Sequence, residues 1–252
     1  MYARGSGNQL LLVGIYVGVY VDDLVIVGAQ QDEVMEFKAE MKHLFKMNDL
    51  GPLSYYLGIE VAQTGQSIST TQRAYVDKIL EKASMTGCNP CSTPMEPRLK
   101  LSKNYTNPPV DATLYRSIVG SLRYLVHTRP DITFAVGYVS RFMEAPTTQH
   151  WSAVKHLLCY IASTRSYGCI FKRGEWELHL TGYSDSDMAG DADDRKSTSG
   201  AIFFLDASPV SWQSQKQRVV ALSSCEAEYI AVASTACQGV WLSRLLADLL
   251  NK

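Results

Sequence analysis

The chain has 252 residues, a formal net charge of −1, 46% hydrophobic residues and 19% charged residues. This excludes a disordered polymer and allows one large domain or two smaller ones. The charge is unevenly placed: residues 1–71 hold 4 Lys and Arg against 8 Asp and Glu, residues 72–173 hold 14 against 6, and residues 174–252 hold 6 against 11. A basic middle between acidic flanks is the footprint expected of a phosphate-backbone contact, with an ordinary solvated helical surface as the plainer alternative.

No apolar run reaches the ~18 residues of a membrane span; the longest, Leu10 to Val21, is broken by glycines and reads as strand. The N-terminus lacks the charged start, apolar core and cleavage site of a signal peptide. Nuclear or cytoplasmic residence without a membrane partner is therefore expected.

In chain order, Leu10 to Val21 and Leu24 to Val27 read as two strands of a hairpin, with Asp22 and Asp23 at its tip. Asp tolerates the left-handed backbone of tight turns, so a turn alone explains the pair. Two adjacent carboxylates are also hard oxygen ligands suited to Mg²⁺ and phosphoryl transfer. Asp32 can cap a helix to about Lys46, with Val34, Phe37, Met41, Leu44 and Phe45 on one face. Leu53 to Val61 reads as a strand, and a turn at 64–66 leads to Ser67–Thr71.

The next hundred residues read as mostly helical. Helices are expected over Gln72–Ser84, from Asp111 with Leu114, Ile118, Leu122 and Leu125 inward, from Pro130 to about Phe142, and from Thr147 or Thr148 to about Ser163. Residues 87–110 form a Pro- and Asn-rich connector. Arg116, Arg123 and Arg141 each adjoin an aromatic residue, and packing gives no reason for the cations. They are the candidate nucleic-acid contacts.

From Leu178 strands return: Leu178–Ser184, Gly200–Leu205, and a third around Val210–Trp212 and Arg218–Ser223. Cys225 to Leu250 reads as one long helix, with Tyr229, Val232, Ala236, Val240 and Leu245 tracing a face. Asp185 and Asp187 end the first of these strands, while Glu226 and Glu228 open the long helix behind Ser223 or Ser224 as cap. A first-turn acid suits the helix dipole. An Asp at a strand end facing a Glu on a following helix also suits a Mg²⁺ site for phosphodiester hydrolysis.

The six cysteines, at 88, 91, 159, 169, 225 and 237, do not form a disulfide framework pattern. Cys88-Asn-Pro-Cys91 has zinc or redox spacing but no second pair and no His at ligand spacing, so loop cysteines are the expectation.

Several blocks together resemble the C-terminal part of a Ty1/copia-type retrotransposon polyprotein, most like those of plants. Tyr20-Val-Asp-Asp23 matches the family's polymerase motif, and Leu50 to Glu60 resembles its next palm segment. Tyr115 to Leu125 and Thr128-Arg-Pro-Asp-Ile132 resemble thumb and connection helices. Tyr183 to Asp187, Asp194 to Gly200 and Ala221 to Tyr229 resemble its ribonuclease H module, although Met188 stands where the family usually carries Trp.

The resemblance implies an α+β chain in three parts: a partial reverse-transcriptase palm of β-hairpins plus helix over 1–71, a helical thumb and connection over 72–173, and a truncated ribonuclease H-like unit of three strands plus a helix over 174–252. It implies that Asp22 and Asp23 hold Mg²⁺, with Mn²⁺ as a substitute, and that the substrate is a primer-template or an RNA–DNA hybrid. Asp185 and Glu226 match the first two ribonuclease H carboxylates, with Asp187 and Glu228 as the alternatives in register. The family's upstream palm Asp and its later ribonuclease H acids fall outside these 252 residues. The chain alone is accordingly expected to be catalytically incomplete, with non-catalytic nucleic-acid binding as the other reading.

Overall fold

The computed structural model describes residues 2–4, 11–20, 23–27, 31–103, 106–173 and 178–250. The chain forms two compact units, one of residues 1–53 and 240–252, the other of residues 54–239.

In the first unit, β1 (Tyr2–Arg4), β2 (Leu11–Tyr20) and β3 (Asp23–Val27) make a three-stranded antiparallel sheet in that order. The expected hairpin is present: Tyr20 pairs with Asp23, and the register is irregular between Tyr16 and Tyr20. Helix α1 (Gln31–Leu44) follows. Val34, Phe37 and Met41 are half-buried on one face, whereas Leu44 and Phe45, expected on that face, are exposed at the helix end.

The second unit opens with β4 (Tyr55–Tyr56), β5 (Ile59–Gln63) and β6 (Ser67–Thr71). The segment expected as one strand over 53–61 is instead a tight hairpin, with Tyr56 paired to Ile59. Leu57 and Gly58 turn the chain with positive φ values of 49° and 84°. A two-residue hairpin needs that left-handed backbone, and glycine supplies it without strain. The leucine is anchored from outside: the Tyr124 hydroxyl donates to the Leu57 carbonyl.

Four helices follow: α2 (Arg73–Lys82), α3 (Ala112–Leu125), α4 (Thr133–Val139) and α5 (Thr148–Ser163). Asp111 caps α3, its carboxylate accepting from the Thr113 and Leu114 amides at 2.8 and 3.2 Å. Their core holds Val76, Ile79, Tyr115, Ile118, Leu122, Leu125, Val139, Val154, Leu157 and Ile161. Leu114, expected inward, is exposed, and Tyr115 takes the buried position with its hydroxyl donating to the Val139 carbonyl at 2.8 Å. The helices do not run unbroken to residue 173. Strand β7 (Gly168–Lys172) returns to pair with β6, completing a sheet in the order β4-β5-β6-β7.

The turn between α3 and α4 is built on Arg129, which is 1% exposed. The following Pro130 bars Arg129 from helical backbone and begins a short 3-10 turn, Pro130–Ile132. This aims the guanidinium inward. Its Nε and Nη2 donate to the two Asp131 carboxylate oxygens at 2.9 and 2.7 Å, and its Nη1 and Nη2 donate to the Thr164 carbonyl and hydroxyl at 3.0 and 2.7 Å. The Tyr160 and Tyr167 rings lie 5.8 and 5.5 Å from it, and the Tyr160 hydroxyl donates to Asp131 at 2.9 Å.

Strands β8 (Leu180–Ser186), β9 (Thr198–Leu205) and β10 (Ser208–Lys216) form an antiparallel sheet in the order β10-β9-β8. The Trp212 indole donates to the Val126 carbonyl at 3.0 Å, and the Lys172 amide donates to the Ser208 hydroxyl at 3.1 Å, tying β10 to the helices and to β7. Helix α6 (Ser224–Leu250) follows. Of the apolar face traced along it, Tyr229, Val232, Ala236 and Val240 are exposed and Leu245 is half-buried, while Ala227 and Ala231 are fully buried. The helix lies so near β9 that a Cβ on Gly239 would stand 3.3 Å from the Phe203 ring. Small residues win that face because larger ones would hold helix and sheet apart. Among the described residues, Ser224–Leu249 is long and apolar enough to cross a membrane by length and composition alone, a property that the search for unbroken apolar runs does not reveal.

The connection between β8 and β9 is clamped by Asp191, which is 4% exposed. Its carboxylate accepts from Lys216 Nζ at 2.6 Å, from Arg141 Nη1 at 3.1 Å, and from the Asp193 and Asp194 amides at 3.0 and 3.3 Å. Burial pushes the Asp191 carboxyl up, but Lys216 and the two amides outweigh it and hold the group well below the usual carboxylate range.

Two outcomes are expected. Removing either member of the Arg129–Asp131 pair costs about 3–5 kcal/mol in urea unfolding, with Asp131→Ala at least as costly as Arg129→Met, because it strands a buried cation rather than a carboxylate open on one side. Asp191 stabilises the fold fully above the ordinary carboxylate range, and its contribution fades as pH falls below about 4 toward its depressed folded value. Unfolding free energy measured from pH 6 to pH 3 therefore falls less steeply in Asp191→Asn than in the unmodified chain.

Candidate metal and nucleic-acid sites

Asp22 lies outside the described residues. Asp23 is described through its backbone, as the first residue of β3 paired to Tyr20, so it opens the strand rather than forming the turn.

The second acid group is resolved more finely. Asp185 lies in β8 opposite Gly200 and is exposed. Asp187 lies just past the strand. Its Oδ1 accepts from the Thr198 amide at 2.7 Å, and its own amide donates to the Thr198 carbonyl at 3.2 Å. Its carboxylate is packed so closely that a Cβ on Gly190 would stand 2.0 Å from Oδ2. Asp187 thus closes the β8–β9 connection, and the expected shared direction with Asp185 fails because the strand ends at Ser186.

The two glutamates also divide. Ser223 caps α6, its hydroxyl accepting from the Glu226 amide at 3.1 Å, while Glu226 Oε2 accepts from the Leu222 amide at 2.7 Å. This reciprocal arrangement commits Glu226 to the helix start. Glu228, half-buried, reaches the sheet instead: its Oε1 accepts from the Ser186 amide at 3.3 Å, one residue from Asp185. Of the two register alternatives, Glu228 is the one bonded to the β8 end, while Glu226 is bonded to the helix start.

Gln217, which no sequence pattern singles out, sets this spacing. Its side-chain amide donates to the Ala227 carbonyl and the Ser199 hydroxyl, both at 2.9 Å, and its backbone amide donates to the Ser197 carbonyl at 2.8 Å. It pins α6 against the sheet at the turn that carries Glu228. A glutamine in a polar run carries no sequence signal for this.

Asp185 and Glu228 offer hard oxygen donors, a set that suits Mg²⁺, which takes one or two carboxylates and completes its shell with water and phosphate. No three His, Cys, Asp or Glu side chains of the described residues are gathered into a ready metal cage.

The three arginines separate as well. Arg141 is spent inside the protein: it bonds Asp191 and donates from Nη2 to the Thr198 hydroxyl at 2.9 Å, over the Tyr138 ring at 5.0 Å. Arg116 and Arg123 lie seven residues apart on the exposed side of α3, and Arg116 makes one long bond, 3.4 Å, to the Met143 carbonyl. With Arg129 buried, the basic excess of residues 72–173 is partly internal.

A family described as reverse transcriptase (RNA-dependent DNA polymerase) matches residues 1–97. A retrovirus-related Pol polyprotein from transposon TNT 1-94 of Nicotiana tabacum is 42% identical over 98% of this chain and 19% of its own length. One from transposon RE1 of Arabidopsis thaliana is 42% identical over 93% of this chain and 16% of its own length. An uncharacterized mitochondrial protein of Arabidopsis thaliana is 36% identical over 91% of this chain and 95% of its own length. The chain thus spans less than a fifth of the polyproteins it matches. No solved structure matches. Two polyproteins aligned along nearly the whole chain, and a reverse-transcriptase match over the segment that holds the hairpin, carry one conclusion: the chain belongs to the Ty1/copia-type retrotransposon Pol polyprotein family, of the plant-like kind, and contains part of its reverse transcriptase.

Proposed function

We propose that this chain serves RNA-directed DNA synthesis coupled to removal of the RNA strand, with residues 1–71 as palm, 72–173 as thumb and connection, and 174–252 as a ribonuclease H-like part. The observation that carries the reading is the Tyr20-Val-Asp-Asp23 hairpin within the segment matched to reverse transcriptase. In this reading Asp22 and Asp23 supply carboxylates for the polymerase Mg²⁺ ions, and Asp185 with Glu228 supplies them for hybrid cleavage. Each such ion would steady negative charge developing on the phosphodiester. The chain's own part is to place these residues: Asp23 opens β3 on the β2–β3 ladder, and Asp185 and Glu228 lie on β8 and on the turn of α6 braced by Gln217.

Two carboxylates per site leave an ion underbound until a substrate or another segment completes its shell. The 252 residues alone are therefore expected to bind a divalent ion weakly and to cleave a labelled RNA–DNA hybrid negligibly. A second, non-catalytic reading, holding a hybrid backbone, is favoured by the exposure of Arg116 and Arg123 on one side of α3. Residence in the nucleus or cytoplasm accords with both.

Mn²⁺ titration of the chain with a hybrid, followed by electron paramagnetic resonance, tests the register of the acids. Asp185→Asn and Glu228→Gln each weaken binding on the order of tenfold or more, while Glu226→Gln leaves it unchanged. Loss in Glu226→Gln with retention in Glu228→Gln would reverse the assignment. For the arginines, the joint reversal Arg116→Glu and Arg123→Glu lowers the slope of log affinity against log salt by about 2, evenly across hybrid sequences. An unchanged slope would remove α3 from the interface.

A further inference from the structure

His150 lies in the first turn of α5 and is fully buried, although histidine is the side chain that ordinarily gains charge near neutral pH. Both ring nitrogens are engaged by the main chain. Nδ1 accepts from the Thr147 amide at 3.0 Å, and Nε2 meets the Ser102 carbonyl at 3.1 Å. An amide only donates and a carbonyl only accepts, so these partners fix one state of the ring: neutral, with its proton on Nε2. The Phe142 ring stacks on it at 4.1 Å and 14°. In a capping box this position usually belongs to Glu or Gln, whose oxygen accepts from the amide of the cap residue. His150 performs that task with an acceptor that a proton removes.

Three segments are joined through this ring. Thr147 opens α5. Ser102 lies on the connector, and its hydroxyl donates to Asp193 on the β8–β9 connection. The Lys103 amide donates to the other Asp193 oxygen at 2.9 Å. A proton on Nδ1 sets an N–H against the Thr147 N–H. Only the Thr147 hydroxyl, 3.2 Å away, is left to accept it, and the amide loses its partner. The charge is also held out of water. Its charged neighbours are committed elsewhere. Asp193 attracts the protonated ring but already accepts from Ser102 and Lys103, and Arg141, beside Phe142, turns to Asp191 at 3.1 Å. The first turn of α5 holds no acid. Burial accordingly pushes the His150 ring down, against the upward pull of the Ser102 carbonyl and Asp193.

We propose that His150 is an acid-sensitive latch: as a neutral ring it locks the start of α5 to the connector and, through Ser102, to the β8–β9 connection, and a proton on it releases the three together. The latch does not depend on reading Asp185 and Glu228 as metal ligands. Because the folded ring resists the proton, the unfolded chain takes it up first. The latch therefore stabilises fully above the ordinary histidine value of 6.5, and its contribution is lost as pH falls from there toward the depressed folded value.

The test compares the full chain with His150→Gln, which keeps an acceptor for the Thr147 amide and does not titrate. In urea unfolding from pH 7.5 downward, the unfolding constant of the unmodified chain rises relative to the variant by up to about tenfold per pH unit below the ordinary histidine value. Nitrogen-15 NMR of the unmodified chain shows the His150 ring neutral at pH 7, protonated on Nε2, and still neutral below 6.5. Where the ring does gain its proton, the Thr147 and Lys103 amides lose protection from hydrogen exchange together, after correction for the intrinsic pH dependence. In His150→Gln they do not. If the variant fails to fold, the ring titration and the two amides of the unmodified chain decide alone. A ring that titrates at or above the ordinary value, amides that stay protected once it is charged, or parallel pH profiles for the two chains each overturn the latch.

Discussion

The second unit depends on one buried cation. Arg129 is held at the junction of α3, the 3-10 turn and the end of α5, and its bonds to Thr164 join segments that the chain separates. A guanidinium out of water is tolerated only where carboxylate, carbonyl and hydroxyl oxygens replace its hydration. Asp131 and Thr164 do this together, and the Tyr160 and Tyr167 rings close over the remaining faces. Pro130 between the two charges is what permits it, because an unbroken helix would carry Arg129 outward to solvent. The neighbouring Thr128 adds a bond to the buried Gln72 at 2.9 Å, so the same short stretch locks the entry to α2 and hence the sheet that precedes it.

A second buried charge organises the other half of that unit with the signs reversed. Asp191 gathers Arg141 from the helical layer and Lys216 from the end of β10. The two clusters together change the meaning of the basic middle segment. Electrostatic excess along a sequence does not distinguish a cation that waits for phosphate from one that holds two layers together. Arg129 and Arg141 are of the second kind, and the exposed positive charge of residues 72–173 is smaller than the charge count suggests.

Packing likewise separates the two glutamates of α6. A helix laid closely on a sheet needs small residues in contact, which α6 meets with Ala227, Ala231 and Gly239. That contact fixes the rotation of the helix. Once it is fixed, Glu228 points to the end of β8 and Glu226 falls at the capping position. Two acids two residues apart on a helix are nearly opposite in azimuth, so only one of them could face the strand.

Much of this protein could be read before folding. The β2–β3 hairpin, the Asp111 cap, the break at Pro130 and the start of α5 at Thr148 all follow from local chemistry: β-branched alternation, a capping carboxylate, a missing amide, a hydroxyl before an apolar period. The family was legible for the same reason, since its motifs are contiguous. What tertiary structure decided is whatever required two distant segments to meet. The Leu57-Gly58 turn is held by Tyr124, β7 pairs back to β6, and the buried contact of α6 falls on Ala227 and Ala231 rather than on its large apolar residues because close contact selects small side chains. Cys91 stands alone in the sequence because His156, 3.9 Å from its thiol, lies far along the chain. The sequence by itself determined which chemical groups are available and where the chain turns. The fold determined which of them are neighbours, because burial, not spacing, decides whether a charge is solvated, paired or left to bind something else.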